Sequence, residues 1–359
     1  MSSESKTTVA TRPEQGRAAN FYRVAVVGAG SLKGKEVAEV LNERNFPTVD
    51  VKLLDDDDSL GQLEAVGEEV TFIRKLRAEE FQHLDFCFFA GDAESSKKNW
   101  KIAQDAGSAI VDLTYALEDV PGVQVRSPWM ERQLGRTPAV ELQPGPAVIA
   151  HPAAVVLAML LQRLRKYADI KNASATIFEP ASEHGQKGMD ELHEQTVNLL
   201  SFQQLPKSIF DTQVAFNMVS SYGEQSIPTL ASVQAMITRH YKAISAEDSP
   251  VPSILLIQAP IFHGHAFAIH VNFGVAADID AILQIMPGDH IHLIHGAEEA
   301  ATNANAAGQG DIQLSILPDA SDANGLWLWA ASDNLRIAAS TAVECAETMA
   351  ASRPRGQIQ

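Results

Sequence analysis

Apolar segments alternate with helical patterns along the first part of the chain. Residues 24–27 and 49–54 have strand patterns, and the apolar residues 85–90 and 109–113 follow them. Residues 95–106, between the last two, have the spacing of a helix. Because apolar strands that alternate with helices are typical of a parallel sheet covered on both faces, we predict an α/β domain of the Rossmann type.

The pattern changes after Gly145-Pro146. A long apolar helix is predicted over 153–166, and later segments alternate as half-exposed antiparallel strands do. The predicted strands are 173–179, 253–262 and 266–273, and the predicted helices are 186–200, 230–245 and 334–351. We therefore expect a dinucleotide-binding domain at 21–148, completed by 331–359, and an α+β domain at 149–330.

The composition limits which binding partners and which cellular compartment we expect. The chain has a net charge of −17 and a pI near 5.0, which argues against nucleic acids and anionic membranes as partners. Residues 1–20 lack an apolar core and predict a disordered tail, not a signal peptide. The longest charge-free apolar run, Ala153 to Leu161, is too short to span a membrane. We expect a cytoplasmic protein.

A glycine-rich turn follows the first strand and precedes a helical pattern. Gly28, Gly30 and Gly34 lie in this turn, together with Ser31 and Leu32. In such a context the glycines let a pyrophosphate approach the backbone, and the helix N-terminus offers free N–H groups. The spacing is looser than the usual dinucleotide motif, so it predicts the fold more firmly than a bound dinucleotide.

Acidic residues end the second strand. Asp55 follows Gly34 by about twenty residues, where a carboxylate accepts hydrogen bonds from an adenosine ribose. The run from Asp55 to Asp58 would repel a 2′-phosphate, which favours NAD over NADP. A solvated acidic loop is the alternative interpretation. Lys33, inside the glycine turn, could pair with these aspartates or with a phosphate, and the sequence does not decide between them.

Seven collinear segments carry a resemblance to one family of enzymes: Val24–Gly34, Cys87–Ser96, Ala109–Asp112, Val148–Pro152, Gln213–Asn217, Gln258–His265 and Ser332–Arg336. They resemble the aspartate-semialdehyde dehydrogenases, and more closely their Usg-type relatives. The resemblance covers nearly everything from Phe21 to the C-terminus. It implies a homodimer joined through the second domain, a dinucleotide site that includes Ala90 and Gly91, and aldehyde oxidation through a cysteine thioester.

Most functional positions implied by the resemblance carry a different side chain here. Ala154 stands at the position of the nucleophilic cysteine, and Glu179 at that of a glutamine. Gln258 replaces the arginine that binds the substrate carboxylate, and Glu118 replaces a phosphate-binding arginine. His265 alone is retained, at the position of the general base. The family's covalent chemistry requires a thiolate, so the ordinary phosphorylating reaction is not expected.

Two functions remain open on this basis. The first is a catalytically degenerate relative that keeps the fold and the dimer and binds a dinucleotide or another ligand. The second is an oxidoreductase with non-covalent chemistry, in which His265 is the acid–base and Glu179 its partner. Glu183, which stands at the position of a family glycine, and Glu118 add negative charge to a pocket that binds a phosphate and a carboxylate in the family, which favours the first.

Other candidate residues have structural explanations. His263 and His265 share a strand face, but a metal site needs a third ligand. His151, His184 or His270 could supply it only if the fold brought one of them close, so structural histidines are expected and no metal. Cys87 and Cys345 are expected to pack in cores.

An apolar face of the second domain predicts the dimer interface. Ile254 and Leu256, followed by Pro260 and Phe262, form a face that one domain would leave uncovered, and a twofold mate would cover it.

Overall fold

The computed structural model describes residues 21–56, 61, 63–66, 69–137, 145–294 and 300–352. The predicted tail at 1–20, and Asp57 and Asp58 of the acidic run, lie outside these residues. The strands are β1 Tyr22–Val27, β2 Thr48–Asp55, β3 Leu63–Val66, β4 Glu69–Phe72, β5 Arg74–Lys75, β6 Phe86–Phe89, β7 Ala109–Asp112, β8 Gln124–Arg126, β9 Ala147–Ile149, β10 Asn172–Glu179, β11 Ser253–Gln258, β12 His265–Asn272, β13 Ile291–Leu293, β14 Ile312–Pro318 and β15 Gly325–Ser332. The helices are α1 Leu32–Glu43, α2 Ala93–Asp105, α3 Pro128–Gln133, α4 Pro152–Leu164, α5 Gly185–Leu200, α6 Leu230–Ile244, α7 Ile279–Ile285, α8 Asn303–Ala306 and α9 Asn334–Ser352.

The first sheet is parallel and has seven strands in the order β5-β2-β1-β6-β7-β9-β8. Its central strand β6 is buried along its whole length, which accounts for its apolar sequence. α1 and α9 pack against one face of the sheet, where Ala338 and Val343 contact the same core as Val24 and Val26. The predicted α/β, Rossmann-type fold is confirmed.

The second sheet is mixed and has six strands in the order β11-β10-β12-β15-β14-β13. The pairs β10–β11 and β13–β14 are parallel, whereas the other three pairs are antiparallel. Side-chain alternation predicted antiparallel strands, but it reports only which face is buried and does not distinguish the two pairings. α4 and α6 cover the core face, and this α+β architecture agrees with the predicted fold class. The exact domain boundaries stay a prediction.

The apolar face predicted for the dimer interface is partly wrong in its residues. Leu256 is buried and packs with Ile254 against the chain's own core. The uncovered side of this sheet instead carries Leu255 (49% exposed), Trp327 (41%) and Leu317 (52%). The strand that contains Leu255 ends at Gln258, so residues 259–262 lie beyond the sheet. In the part of the chain that the structure describes, no helix has the length and apolarity to cross a membrane.

Candidate functional site

Four polar side chains form one row across the second sheet. Glu179, which ends β10, is paired with Gln258 of β11, and His265, which begins β12, is paired with Ser332 of β15. β10 and β12 are adjacent, so the two pairs join into one row on the core-facing side. All four are at most 1% exposed. Three of the positions implied by the resemblance, Glu179, Gln258 and His265, are therefore brought together.

The N-terminus of α4 faces this row. His151 caps the helix, since its Nδ1 accepts a hydrogen bond from the backbone N–H of Ala153 at 3.2 Å. Ala154, at the implied nucleophile position, is fully buried in the second-domain core. The imidazole of His151 lies 5.8 Å from that of His265, measured between ring centroids. The position that the resemblance implies for the nucleophilic thiolate holds a methyl group here.

Glu183 lies at the centre of the ionisable groups. Its carboxylate accepts a hydrogen bond from Asn334 Nδ2 at 2.9 Å. Lys33 Nζ and His151 Nε2 each lie 3.8 Å from Oε2, and His265 Nε2 lies 3.9 Å from Oε1. Burial by itself would raise the pKa of Glu183, but the ammonium of Lys33 and the Asn334 hydrogen bond hold it below its usual range. Glu183 is therefore a buried carboxylate.

The histidines of the cluster are neutral. Nδ1 of His151 accepts a hydrogen bond from the backbone N–H of Ala153, and Nδ1 of His240 accepts one from the backbone N–H of His151. Each of the two imidazoles therefore carries its proton on Nε2. Burial lowers the pKa of His151 to about 3, against the influence of Glu183. Burial also lowers the pKa of His265. These imidazoles offer polar atoms and no net charge.

Glu118 is already engaged by other side chains. Its Oε1 lies 2.5 Å from Nε2 of His240, and its Oε2 accepts a hydrogen bond from Arg239 at 2.8 Å. Burial opposes ionisation, but these two hydrogen bonds lower the pKa of Glu118. The implied phosphate position thus carries a stabilised negative charge, which would repel a phosphate.

Gln258 is held by a chain of hydrogen bonds. Its Nε2 donates to the carbonyl oxygens of Glu179 at 3.0 Å and Ala259 at 2.8 Å, and its Oε1 accepts from the Tyr222 hydroxyl at 2.7 Å. His184 Nε2 contacts that hydroxyl at 2.8 Å. The amide that replaces the implied arginine is consumed by internal bonds and brings no positive charge.

The glycine turn packs directly on the loop after β6. A Cβ added to Gly28, whose φ is +81°, would lie 2.2 Å from the Cα of Gly91, so both glycines are needed for the two loops to meet. A Cβ on Gly34 would lie 2.2 Å from the carbonyl oxygen of Gly28. Ser31 caps α1 and donates a hydrogen bond to the Ala90 carbonyl at 2.8 Å. Leu32 is the first residue of that helix. The implied dinucleotide-binding residues are therefore neighbours at the carboxyl edge of the first sheet.

Asp55 belongs to the same edge. Its Oδ2 accepts a hydrogen bond from the backbone N–H of Gly30 at 2.7 Å, and its Oδ1 accepts one from that of Asp56 at 2.9 Å. The carboxylate is therefore bound to the glycine turn itself, which neither interpretation drawn from the sequence had anticipated. A contact between Asp55 and an adenosine ribose stays a prediction.

Lys33 links the two halves of the molecule. Lys33 lies in α1, and its ammonium is near the carboxylate of Glu183. The same ammonium lies 3.4 Å from the Tyr115 hydroxyl and 3.4 Å from the Leu113 carbonyl oxygen. The ring of Tyr115 lies under the ammonium and stacks on His151 with 5.5 Å between centroids. The sequence did not decide the partner of Lys33 and did not point to Tyr115, since no local motif identifies either contact.

The cysteines are both in cores. Cys87 and Cys345 are fully buried, and burial raises the pKa of each thiol to about 12. Neither is available as a thiolate near neutral pH. Among the residues described, no group of three or more His, Cys, Asp or Glu side chains could hold a metal ion.

Fold and site together define a two-domain protein of the dehydrogenase type, with a dinucleotide-type turn beside a buried row of polar side chains. Comparison with family models gives the family: the semialdehyde dehydrogenase NAD binding domain matches residues 23–133, and the semialdehyde dehydrogenase dimerisation domain matches residues 161–337. The chain belongs to this family, as the resemblance of its segments indicated.

Curated relatives and a solved structure support the same assignment. The chain is 28% identical to an aspartate-semialdehyde dehydrogenase of Rickettsia bellii, over 91% of this chain and 97% of the relative. It is 27% identical to a USG-1 protein homolog of Pseudomonas aeruginosa, over 88% and 94%. The structure of a probable aspartate-semialdehyde dehydrogenase from Pseudomonas aeruginosa superimposes with a TM-score of 0.81 at 26% identity, covering 92% of this chain and 99% of that one.

Proposed function

We propose that this protein is a non-catalytic member of the semialdehyde dehydrogenase family, a homodimer that binds a small ligand in its altered active-site cleft. The observation that carries the proposal is the missing thiolate. Ala154 occupies the nucleophile position, and both cysteines lie in hydrophobic cores with raised pKa values. Without a thiolate no thiohemiacetal forms, so no hydride donor arises from an aldehyde.

The electrostatics of the cleft support the same conclusion. Relatives named aspartate-semialdehyde dehydrogenases act on a substrate with a carboxylate. Here Gln258 is neutral and internally bonded, and Glu118 and Glu183 place carboxylates beside His240 and His151. A carboxylate or phosphate entering this cleft would meet negative charge at low local dielectric.

A kinetic assay tests the proposal. Purified protein should not oxidise aspartate semialdehyde in the presence of phosphate, with NAD or with NADP. Ala154→Cys alone should stay inactive, because the groups that would hold the substrate anions remain absent. Turnover above background that persists through further purification steps would refute the non-catalytic assignment and favour non-covalent oxidoreduction through His265. Mass spectrometry of small molecules released from the purified protein tests the ligand-binding part independently.

We infer that, where a dinucleotide binds, NAD is preferred to NADP. Asp55 is fixed by Gly30 beside the ribose position, and its negative charge would repel a 2′-phosphate. Calorimetric titration should give tighter binding of NAD, and Asp55→Asn should narrow the difference between the two cofactors. Tighter binding of NADP to the unaltered protein would contradict this inference.

The dimerisation-domain match and the apolar outer face of the second sheet support a homodimer. Sedimentation at micromolar concentration should give twice the 38.8 kDa chain mass. Leu255→Asp, on the uncovered face, should yield monomers, because a charge placed in an apolar interface is costly to bury. A sedimentation coefficient that is the same for Leu255→Asp and for the unaltered dimer would place the interface elsewhere.

A further inference from the structure

The row across the second sheet contains buried polar atoms without a partner. Both carboxylate oxygens of Glu179, both ring nitrogens of His265 and the hydroxyl of Ser332 are buried and make no hydrogen bond to any described residue. Each buried polar group left without a hydrogen bond costs free energy, and native interiors satisfy nearly all of them. Five such atoms on three adjacent strands therefore point to a bound molecule that is not part of this chain.

The spacing of the surrounding groups leads to the same conclusion. Three of the approaches between ionisable atoms here measure 3.7–3.9 Å: His184 Nε2 to Glu179 Oε1, His151 Nε2 to Glu183 Oε2, and His265 Nε2 to Glu183 Oε1. Direct charge-assisted hydrogen bonds measure about 2.7–2.9 Å. These three contacts are therefore too long for direct hydrogen bonds, and they do not supply the hydrogen bonds that the buried atoms lack.

The bonds of another buried carboxylate provide the contrast. Glu191 is 3% exposed, and its oxygens accept hydrogen bonds from Ser208 Oγ at 2.8 Å and from the backbone N–H groups of Ile209 at 2.7 Å and Phe210 at 3.1 Å. Glu191 thus has the full set of partners that a structural buried carboxylate requires. Glu179 is equally buried, but its oxygens accept no direct hydrogen bond from the residues that the structure describes, and His184 Nε2 lies 3.7 Å from one of them.

Charge determines the class of molecule that fits. Two buried carboxylates, Glu179 and Glu183, face one ammonium, that of Lys33. His151 is neutral because its Nδ1 accepts a backbone hydrogen bond. Asp333 is balanced separately, since it accepts three backbone N–H groups, two of them at the start of α9. His184 Nε2 lies 3.7 Å from Glu179 Oε1, and apart from the imidazoles the two carboxyl groups outnumber the ammonium by one. Buried charges are stable only when they are paired.

We propose that the row formed by Glu179, His265 and Ser332 binds a small molecule with a protonated amine and no carboxylate or phosphate. The inference rests on the proposed function, because it names the ligand class of the same cleft. Glu179 accepts the ammonium N–H groups, and Ser332 and His265 hydrogen-bond a neighbouring polar atom of the ligand. Glu183, paired with Lys33, excludes ligands with an acidic group.

Three probes of similar size and different charge test this proposal: ethanolamine, ethylene glycol and glycolate. Titration calorimetry at constant ionic strength should show that ethanolamine binds at least about tenfold more tightly than ethylene glycol, and that glycolate does not bind. Glu179→Gln should weaken ethanolamine binding by about 10- to 100-fold, since the charge of the acceptor is lost. Glu94→Gln, at an exposed carboxylate of α2, is the matched control and should leave binding unchanged.

A second variant covers the case in which Glu179→Gln does not fold. Ser332→Ala removes one hydroxyl that has no described partner, so it should fold normally and weaken ethanolamine binding several-fold. Equal binding of the three probes, or ethanolamine binding that neither variant changes, would overturn the proposal. If the protein neither binds ethanolamine nor turns over aspartate semialdehyde, the amine-ligand inference is overturned and the proposed function stands. Dehydrogenase turnover overturns the proposed function, whichever probe binds.

Discussion

His151 lowers the stability of the folded protein in acid, and His151→Asn should remove this contribution. The imidazole is fully buried, and its Nδ1 is used as the cap of α4, so the folded protein binds a proton there only near pH 3. In the unfolded chain the same side chain titrates near 6.5. Between these two values the unfolded state binds more protons, so the free energy of unfolding falls as the pH falls.

The magnitude follows from the two pKa values. Between pH 7 and pH 5, His151 should lower the free energy of unfolding by about 2 kcal/mol. This loss of stability depends mainly on the pKa of His151 in the unfolded chain, because at pH 5 the folded imidazole remains mostly neutral for any folded pKa below about 4.5. Asparagine is a good helix cap and does not titrate, so His151→Asn keeps the acceptor for Ala153 and removes the proton-binding site.

Denaturant unfolding at pH 7 and pH 5, at one protein concentration, measures the effect. The free energy of unfolding should fall between pH 7 and pH 5 by about 2 kcal/mol less in His151→Asn than in the unaltered protein. His265 also has a lowered pKa and provides a residual pH dependence that both proteins share. An unchanged difference would mean that His151 is protonated in the folded state at pH 5, and would refute the neutral cluster described above.

Two further substitutions test the glycine turn and the lysine inside it. Gly28→Ala should destabilise the protein by several kcal/mol or prevent folding, because its Cβ would overlap Gly91, whereas Gly107→Ala, at φ +100° in open space, should cost only about 1–2 kcal/mol. Similar thermal midpoints for the two would contradict the close approach of the loops. Lys33→Met should lower the free energy of unfolding by about 3–5 kcal/mol, since a buried carboxylate loses its counter-charge. Lys97→Met, at an exposed pair of α2, should stay within about 0.5 kcal/mol, and an equally small effect at Lys33 would show that the carboxylate is not buried in the folded protein.

Sequence alone determined the family, the fold class and most of the elements. The apolar strands β1, β6 and β7 and the glycine turn predicted the parallel sheet, because a strand buried on both faces must be apolar throughout. Helices α2, α4, α5, α6 and α9 were predicted within a few residues of their ends. The elements that were missed, among them β13, β14, α3 and α7, are short or carry mixed side chains, and their burial depends on neighbours distant in the chain.

Which residues form the site was decided only by the tertiary structure. Glu179, His265 and Ser332 are separated by tens of residues, and only the strand order β10-β12-β15 places them in one row. The positions of Lys33 and Glu183 were visible in the sequence, but their pairing depends on how the two sheets meet. A sequence fixes the apolar pattern of each strand and helix because that pattern is local. The partners of a buried charge are set by packing between elements, so only the folded chain shows which buried charges are paired.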